Sequence, residues 1–386
     1  MKKITFYVFL ITVIFASCNN ENSLDYQQIG KELCDGIDQY YYRDERKLFN
    51  ETYPYKEDLN VTYLSGEDMK RNEKVAYLWP TSGVLSAYVA LYRSEPGGDL
   101  KGKIDELITH TLSQYYTNKS YASYLNDAGH SDSFYDDNIW LAIDFCEMFL
   151  MTKEQKYLTQ SLVLWDFIRS GYDSRISGGI YWCQEKKKTK NTCSNAPATV
   201  LCCKLYEATK NRAFLIFAKE LYNWTKITLQ DTDYLYWDNI DLKGKIDERK
   251  YCYNSGQMIQ AGVLLYEITK EESYLNDARR TAKAAMDKFT TKINTGEDAA
   301  TIIDADNNWF VSIFLRGYFQ LYNIDKEDQY LKLIKNNVDW IIENRRDDHG
   351  LYEKKWADLQ ARQTHKWLAD QTSIVEIMTS LYNALN

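Results

Sequence analysis

The feature that most constrains the fold is an internal repeat. Four copies of one short motif recur along the chain, each made of a Lys, three mostly polar residues, an aromatic residue and a Leu. The aromatic residues of the four copies, Tyr157, Phe214, Tyr274 and Tyr330, lie 57, 60 and 56 residues apart. A repeat of this length indicates that one supersecondary unit is stacked several times.

Each copy of the motif joins two amphipathic helices. Residues 265–269 end one apolar-periodic helix, and Tyr274 begins a second helix, in which Ala278, Ala282 and Ala285 follow at spacings of three and four. The unit is therefore a helical hairpin with a very short connection. Helices are predicted roughly at 24–46, 82–95, 98–116, 135–151, 153–171, 191–208, 210–228, 252–268, 270–289, 306–324, 326–345 and 369–385.

The number of hairpins favours a closed ring over an open solenoid. About six hairpins fit into the chain, and neither end carries the polar capping repeat that a solenoid needs. We therefore predict an all-α fold, a closed (α/α)6 barrel of six helical hairpins. Long loops join the hairpins at about 117–134, 172–190, 229–251, 290–305 and 346–368, and in a barrel they all emerge at one end, where we expect the site.

The N-terminus has the pattern of a targeting segment. Lys2 and Lys3 precede an apolar run, 4–16, that is too short to span a bilayer comfortably. The run ends in Phe15-Ala16-Ser17-Cys18, which resembles the lipobox of bacterial lipoproteins and implies that Cys18 becomes lipidated. An ordinary secretory signal remains the alternative. We expect a lipoprotein signal peptide at 1–17, a short tether at 18–23 and one domain at 24–386, exported and held at the outer membrane, on its cell-surface or periplasmic face.

Composition narrows the classes of partner. The net charge is −8 and the chain has no long basic block, so nucleic-acid binding, which needs clustered Lys and Arg, is not expected. The 32 Tyr and 10 Trp are typical of sugar-binding clefts, which combine a flat apolar face with a polar edge. The Cys and His residues lack metal-ligand spacing, so we predict no metal and no cofactor. A disulfide between Cys183 and Cys193 is left open.

The most unusual inner-helix start is Asp136-Asp137-Asn138. Helix capping explains one Asp, Asn or Ser per helix, but not two carboxylates in succession. Glycoside cleavage needs two carboxyl groups, and two neighbouring carboxylates raise the pKa of one of them, which supplies a proton donor. Spacing alone leaves double capping and a metal site as alternatives.

Several motifs, in order along the chain, resemble glycoside hydrolase family 76, the endo-acting α-1,6-mannanases. The motifs are Tyr135 to Trp140 (YDDNIW), Gly178 to Trp182 (GGIYW), Lys190 to Asn195 (KNTCSN), Tyr236 to Asn239 (YWDN) and Tyr253 to Gln257 (YNSGQ). The resemblance implies an (α/α)6 catalytic domain that cleaves α-mannan with retention of configuration and without a metal. Relatives often carry Gln where this chain has Ser255, so a contact made by that Gln is lost here or taken over by Gln257.

The resemblance also implies roles for individual residues. Asp136 corresponds to the nucleophile and Asp137 to the general acid/base. The cleft would be lined by Asn191, Asn195, Asp238, Tyr253 and Asn254, with Trp140 and Trp182 as sugar platforms. For Trp140 a core position is an equal alternative, and Asn195 can instead brace its helix.

Three other functions remain open at this point. A non-catalytic surface glycan-binding lipoprotein would share the helical repeats, the aromatic residues and the anchor, but has no need for the Asp pair. Another glycosidase, a polysaccharide lyase or a transglycosylase can occupy the same barrel. A helical repeat that binds protein would need a polar solenoid face with capped ends, which the sequence lacks.

Overall fold

The computed structural model describes residues 24–56, 75–128, 131–294 and 299–386. The predicted signal peptide at 1–17, Cys18 and the tether at 18–23 lie outside the described residues. In the part of the chain that is described, no helix has the length and apolar character needed to cross a membrane.

The described residues form twelve α-helices, and each corresponds to one of the predicted helices. Their bounds are α1 Tyr26–Tyr41, α2 Leu78–Ser94, α3 Gly98–Glu106, α4 Tyr135–Thr152, α5 Gln155–Ser170, α6 Thr192–Thr209, α7 Arg212–Leu229, α8 Cys252–Thr269, α9 Glu272–Lys288, α10 Asn308–Asp325, α11 Asp328–Asn344 and α12 Leu368–Leu385. The largest boundary errors are at α3, which ends at Glu106 instead of the predicted 116 and is continued by a π-helical and a 3₁₀ turn to Tyr115, and at α1, which ends at Tyr41 instead of 46. The start of α2 lies four residues before the predicted 82. Pro80 lies in its first turn, where a missing N–H removes no intrahelical hydrogen bond.

The helices form two concentric rings, which confirms the (α/α)6 prediction. The inner ring is α2, α4, α6, α8, α10 and α12; each packs against the next, and α12 packs against α2 to close the ring. Five hairpins are consecutive in sequence. The sixth pair joins α12 to α1, from opposite ends of the chain. Two short strands complete this closure, because Trp367 pairs with Thr52 and Lys366 with Tyr53.

Burial separates the two rings. Every residue of α8 from Cys252 to Leu265 is buried, whereas α9 buries one stripe that includes Tyr274, Ala278, Ala282 and Ala285. An inner helix therefore contacts neighbours on all sides, and an outer helix has one face in water.

The repeated Lys has a structural role at the end of an inner helix. Lys153, Lys210, Lys270 and Lys326 each follow an inner helix in the left-handed conformation, with φ of 62°, 57°, 62° and 54°. Each backbone N–H donates to the carbonyl of an aromatic residue four positions earlier. The Lys ammonium lies over that aromatic ring, at 5.7, 6.0, 5.6 and 4.8 Å from its centroid. The cation–π contact helps hold a turn in which glycine is the usual residue.

The long loops contain short strands that the sequence pattern did not predict. They are β1 Tyr42–Arg43, β2 Leu48–Phe49, β3 Thr52–Tyr53, β4 Tyr116–Thr117, β5 Ser120–Tyr121, β6 Thr189–Asn191, β7 Trp237–Asp241, β8 Ile246–Lys250, β9 Thr290–Asn294, β10 Ala299–Ile303 and β11 Lys366–Trp367. Their largest sheet is β6-β7-β8. Most of the strands are too short to show an alternating pattern, and β8 has no buried residue.

Candidate active site

A cavity of about 790 Å³ opens at the end of the barrel where the inner helices begin. The inner helices supply its lining in a regular way. In five of them, the residue before the helix and the second residue of the helix both line the cavity: Tyr77 and Trp79, Phe134 and Asp136, Asn191 and Cys193, Tyr251 and Tyr253, Asn307 and Trp309. In the sixth, Trp367 precedes α12 and Asp370 is its third residue.

Asp136 and Asp137 lie in the first turn of α4 and both line the cavity. The residue before the helix is Phe134, which forms no side-chain cap, so neither Asp occupies the N-cap position. Asp136 Oδ2 accepts a hydrogen bond of 3.1 Å from the indole N–H of Trp182. The double-capping interpretation therefore does not describe this pair.

The two carboxyl groups have different surroundings although they are adjacent. Enclosure away from water raises the pKa of Asp136 to about 6, and this rise is limited by hydrogen bonds from the Cys193 thiol, the Trp182 indole and the N–H groups of the first turn. The same enclosure raises the pKa of Asp137 well above its ordinary value, and the negative charge of Asp136 raises it further. Among the described residues, no hydrogen bond opposes this second rise. Asp136 therefore ionises first, and Asp137 keeps its proton.

Cys193 is a free thiol beside the nucleophile candidate. All seven described cysteines are free and buried, so the disulfide that was left open between Cys183 and Cys193 is not formed. Burial, followed by the charges of Asp136 and Asp238, raises the pKa of the Cys193 thiol well above its ordinary value. Cys193 therefore acts as a neutral hydrogen-bond donor rather than a thiolate.

The loop that carries Trp182 is held by buried polar contacts. Lys190 is fully buried, and its ammonium donates to Asp173 Oδ1 at 2.7 Å and to the carbonyls of Arg175 and Gly178 at 2.6 Å each. Gly179 has φ of 83°, and a Cβ there would lie 2.6 Å from the ring of Trp224. The buried Lys and the glycine thus fix the path of the loop.

Asn195 belongs to this support and not to the cavity lining. Its side chain is fully buried; Oδ1 accepts from Ile180 N at 2.7 Å, and Nδ2 donates to the carbonyls of Ile180 and Asn191. These bonds occupy both the oxygen and the nitrogen of the Asn195 amide. Asn195 therefore holds the loop in place and does not make the predicted substrate contact.

Asn254 and Trp140 also differ from their predicted roles. Asn254 is fully buried beneath the cavity and does not line it. Trp140 lines the cavity but is only 4% exposed, and its ring packs edge-to-face on Trp309 at 5.2 Å. Trp140 therefore forms the floor of the cavity and offers no open ring face on which a sugar could stack.

The remaining predicted residues lie where the sequence placed them. Asn191, Asp238, Tyr253 and Trp182 all line the cavity. Burial raises the pKa of the Asp238 carboxyl, although Asn239 donates a hydrogen bond of 2.9 Å to its Oδ2. Asp238 therefore adds a further carboxyl group to the cavity that contains the Asp pair.

Sequence reasoning missed part of the lining, above all Trp79, Trp309, Trp367 and Asp370. Each lies next to or within the first turn of an inner helix, so the rule that the residue before the helix and the second or third residue face the cavity would have found them. That rule requires the helix starts to within one residue.

One potential metal-ligand group lies among the described residues. It consists of Asp132, Cys183 and Glu185, whose ligand atoms lie within 4.8 Å of one another. The Lys186 ammonium lies 2.7 Å from Asp132 Oδ2 and already compensates the charge of that carboxylate. Cys183 contacts Glu185 Oε2 at 3.6 Å.

A closed double ring of helices, with two adjacent carboxyl groups of unequal acidity in an aromatic cavity, has the arrangement of groups that glycoside hydrolysis requires. The family model of glycosyl hydrolase family 76 matches residues 40–385. The chain therefore belongs to this family. No protein with a curated description matches it in sequence.

Comparison with solved structures also finds family 76 glycoside hydrolases. A family 76 glycoside hydrolase from a bovine Bacteroides thetaiotaomicron strain matches with a TM-score of 0.85 and 29% identity, over 95% of this chain and 79% of that chain. A family 76 mannosidase from Bacteroides thetaiotaomicron VPI-5482 matches with a TM-score of 0.81 and 28% identity, over 92% and 98%. An inactive variant of an α-1,6-mannanase of Salegentibacter sp. HEL1_6, in complex with α-1,6-mannotriose, has a TM-score of 0.77 over 93% and 100%, and its 23% identity supports the fold alone.

Proposed function

We propose that this protein is a retaining, endo-acting glycoside hydrolase that cleaves α-1,6-mannosidic linkages in the backbone of α-mannan. The observation that carries the proposal is the unequal environment of Asp136 and Asp137 at the start of α4. One carboxyl group is prepared to ionise and its neighbour to hold a proton, which are the two states that double displacement needs.

In the first step, Asp137 donates its proton to the glycosidic oxygen as the bond to the anomeric carbon breaks. The Asp136 carboxylate forms a bond to that carbon and gives a glycosyl ester. Trp182, which donates to Asp136 Oδ2, keeps the carboxylate in place and disfavours its protonation.

In the second step, the ionised Asp137 takes a proton from water. The water oxygen attacks the anomeric carbon, and the ester bond to Asp136 breaks. Asp137 is then protonated again, and the product has the configuration of the substrate.

The substrate is proposed from the family and from the aromatic side chains that line the cavity. A neutral glycan chain suits a cavity lined by Trp, Tyr and Phe rings. One solved relative, an inactive α-1,6-mannanase variant, holds α-1,6-mannotriose.

The first experiment is incubation of the purified protein with unbranched α-1,6-mannan, followed by chromatography of the products. We expect a ladder of oligosaccharides from the wild type and a loss of at least a thousandfold for Asp136→Asn and Asp137→Asn. Asp348→Asn, an exposed loop residue, is the matched control and keeps wild-type activity. Full activity of Asp136→Asn would refute the mechanism, and glycan binding without any turnover by the wild type would favour a binding protein.

A second experiment separates the roles of the two aspartates. An aryl α-1,6-mannooligosaccharide with a good leaving group needs no proton from the enzyme, so glycosyl transfer to Asp136 should survive in Asp137→Asn and fail in Asp136→Asn. NMR of the first-formed anomer tests retention: an initial β-anomer would indicate an inverting enzyme. Transfer to an added sugar acceptor in preference to water would indicate a transglycosylase.

We further propose that residues 1–17 are a lipoprotein signal peptide and that Cys18 carries the lipid anchor. The support is the basic-apolar start and the small residues before Cys18. In a Gram-negative host, labelled palmitate should enter the wild type and not Cys18→Ala, which should leave the membrane fraction. Labelling of Cys18→Ala would contradict the anchor, and protease treatment of intact cells distinguishes the surface from the periplasmic face.

A further inference from the structure

Four tryptophan rings in successive contact line the cavity that contains the Asp pair. Trp140, one helical turn after Asp136, contacts Trp309 at 5.2 Å; Trp309 contacts Trp79 at 5.1 Å, and Trp79 contacts Trp367 at 5.0 Å. The interplanar angles are 86°, 86° and 83°, so each ring meets the next edge-to-face. All four rings line the same cavity, and Trp79 and Trp367 are the two that are partly exposed.

The same cavity is lined by a buried carboxyl group that the proposed mechanism does not use. Asp370, in the first turn of α12, lines the cavity and is fully buried. Its Oδ1 accepts a hydrogen bond of 2.7 Å from the N–H of Asn308. Its Oδ2 is buried and has no hydrogen-bond partner among the described residues. A buried polar atom without a partner is unfavourable, and such atoms in native proteins generally meet a ligand or water.

The surroundings of Asp370 suit a neutral sugar better than a cation. Burial raises the pKa of Asp370 to about 7, so the group is at most partly charged near neutral pH. A neutral or partly ionised carboxyl group exchanges hydrogen bonds with hydroxyl groups. The partly exposed faces of Trp79 and Trp367 offer apolar contact to the C–H face of a hexose ring.

We propose that Asp370, Trp79 and Trp367 form a sugar subsite that binds a hexose unit beyond the two units joined by the cleaved bond. Asp370 Oδ2 hydrogen-bonds a hydroxyl of that unit, and the indole faces contact its ring. The subsite rests on the proposed glycosidase function and determines how long a chain the enzyme prefers.

The test compares kcat/KM for α-1,6-linked mannooligosaccharides of increasing length in the wild type, Asp370→Asn and the control Asp348→Asn. Asp370→Asn keeps the shape of the side chain and the acceptor for Asn308 N. We expect its kcat/KM to fall roughly tenfold for long oligosaccharides and to change little for the shortest cleaved substrate, because contacts with a remote unit are lost only when that unit is present. Trp79→Ala should show the same dependence on chain length.

An equal loss for all chain lengths, or no loss, would overturn the subsite. Wild-type protein without activity on any mannan would instead overturn the proposed function, so the two failures are distinct. If Asp370→Asn does not fold, a crystal structure of the Asp137→Asn variant with mannotetraose decides the question. A sugar hydroxyl within hydrogen-bond distance of Asp370 Oδ2 would support the subsite, and a chain that bypasses Trp79 and Asp370 would refute it.

Discussion

At the scale of single residues, two identical side chains differ because of what donates to them. Asp136 receives hydrogen bonds from Cys193, Trp182 and the first turn of α4, whereas the described neighbours of Asp137 only enclose it and add a negative charge. Hydrogen bonding to the charged form opposes the effect of burial in one group and not in the other. The two aspartates therefore differ because of hydrogen bonds that only Asp136 receives. Their donors include Cys193, the second residue of α6, and Trp182, on the loop before β6.

This asymmetry predicts the pH dependence of activity. The free enzyme is active when Asp136 is ionised and Asp137 protonated, so kcat/KM should rise with pH through an acid limb near pH 6. Cys193→Ala and Trp182→Phe each remove a donor to the carboxylate, which raises the pKa of Asp136 and moves that limb to higher pH. The measurement is kcat/KM on a soluble mannooligosaccharide from pH 4 to 9.

The control for this experiment is Cys146→Ala, a buried cysteine in the middle of α4 that does not line the cavity. It should leave the acid limb in place. If Cys193→Ala lowered kcat/KM equally at every pH, its thiol would act by packing rather than by stabilising the charge of Asp136.

The sequence identified the residues that share a local motif with known enzymes and missed those that come together only through ring closure. Asp136, Asp137 and Trp182 stand in ordered motifs, so a resemblance suffices to find them. Trp79 and Trp367 are neighbours in space because α12 packs against α2, almost 290 residues apart in sequence. No local sequence pattern indicates the contact between Trp79 and Trp367.

At the scale of helices, the fourth residue of an inner helix repeatedly braces the preceding loop. Asn138, Asn195 and Gln371 are the fourth residues of α4, α6 and α12. Each exchanges a pair of hydrogen bonds with the backbone of one loop residue, Tyr121, Ile180 and Tyr352 respectively. The amide side chain has both a donor and an acceptor, which a backbone N–H and C=O require. This explains how Asn195 can belong to the Lys190 to Asn195 motif of the family without facing the cavity.

The brace predicts that Asn195→Ala destabilises the protein rather than altering substrate choice. The substitution leaves the N–H and C=O of Ile180 and the carbonyl of Asn191 without their partner in a buried setting, and we expect a loss of about 2 kcal/mol or more in the free energy of unfolding. Chemical denaturation measures the loss, and Asn223→Ala on the exposed face of α7 is the control. A fall in kcat/KM restricted to long oligosaccharides, with unchanged stability, would instead support the substrate contact that the family resemblance implies for Asn195.

Helix existence was predictable from the sequence, and the precise packing was not. The amphipathic pattern and the repeated Lys place all twelve helices, because both are local properties. The glycine of the Tyr253 to Gln257 motif has a cause that only the structure shows: a Cβ on Gly256 would lie 2.4 Å from the Cα of Phe314, so α8 and α10 approach closely there. The short strands were missed because most have only two or three residues, too few for an alternating pattern, and because two of the pairings, β6 with β7 and β3 with β11, join different loops.

At the scale of the whole molecule, the inner ring encloses charged groups as well as apolar ones. Midway along the barrel, Arg316 forms an ion pair with Glu376, with Nη2 and Oε2 2.9 Å apart. Asp144 accepts a hydrogen bond of 2.6 Å from Ser86, and burial raises its pKa to about 6. These groups come from four inner helices, α2, α4, α10 and α12, so the ring holds them only when it is closed.

The raised pKa values predict that stability falls as pH rises through the neutral range. Asp136 and Asp144, with pKa values of about 6, and Asp370, with about 7, all lie above the ordinary Asp value of 3.8. Between about pH 4 and pH 7 the folded chain therefore binds more protons than the unfolded chain, and the free energy of unfolding decreases with pH in that window. The contribution of these groups is fully present below their unfolded pKa and is lost as pH passes their folded values.

Carboxylates at the surface that form ion pairs change the free energy of unfolding in the opposite direction, and they do so at lower pH. Ion pairs and hydrogen bonds lower the pKa of Asp231 below its ordinary value, so its contribution is present above about pH 4 and is lost only in more acid solution. The two sets together place the stability maximum near pH 5. Tm measured by calorimetry should be several degrees higher near pH 5 than near pH 7.5, and Asp144→Asn should reduce that difference because its side chain has no charge to bury. A Tm that rises steadily from pH 5 to 7.5 would mean that the enclosed carboxyl groups of the ring ionise without a penalty.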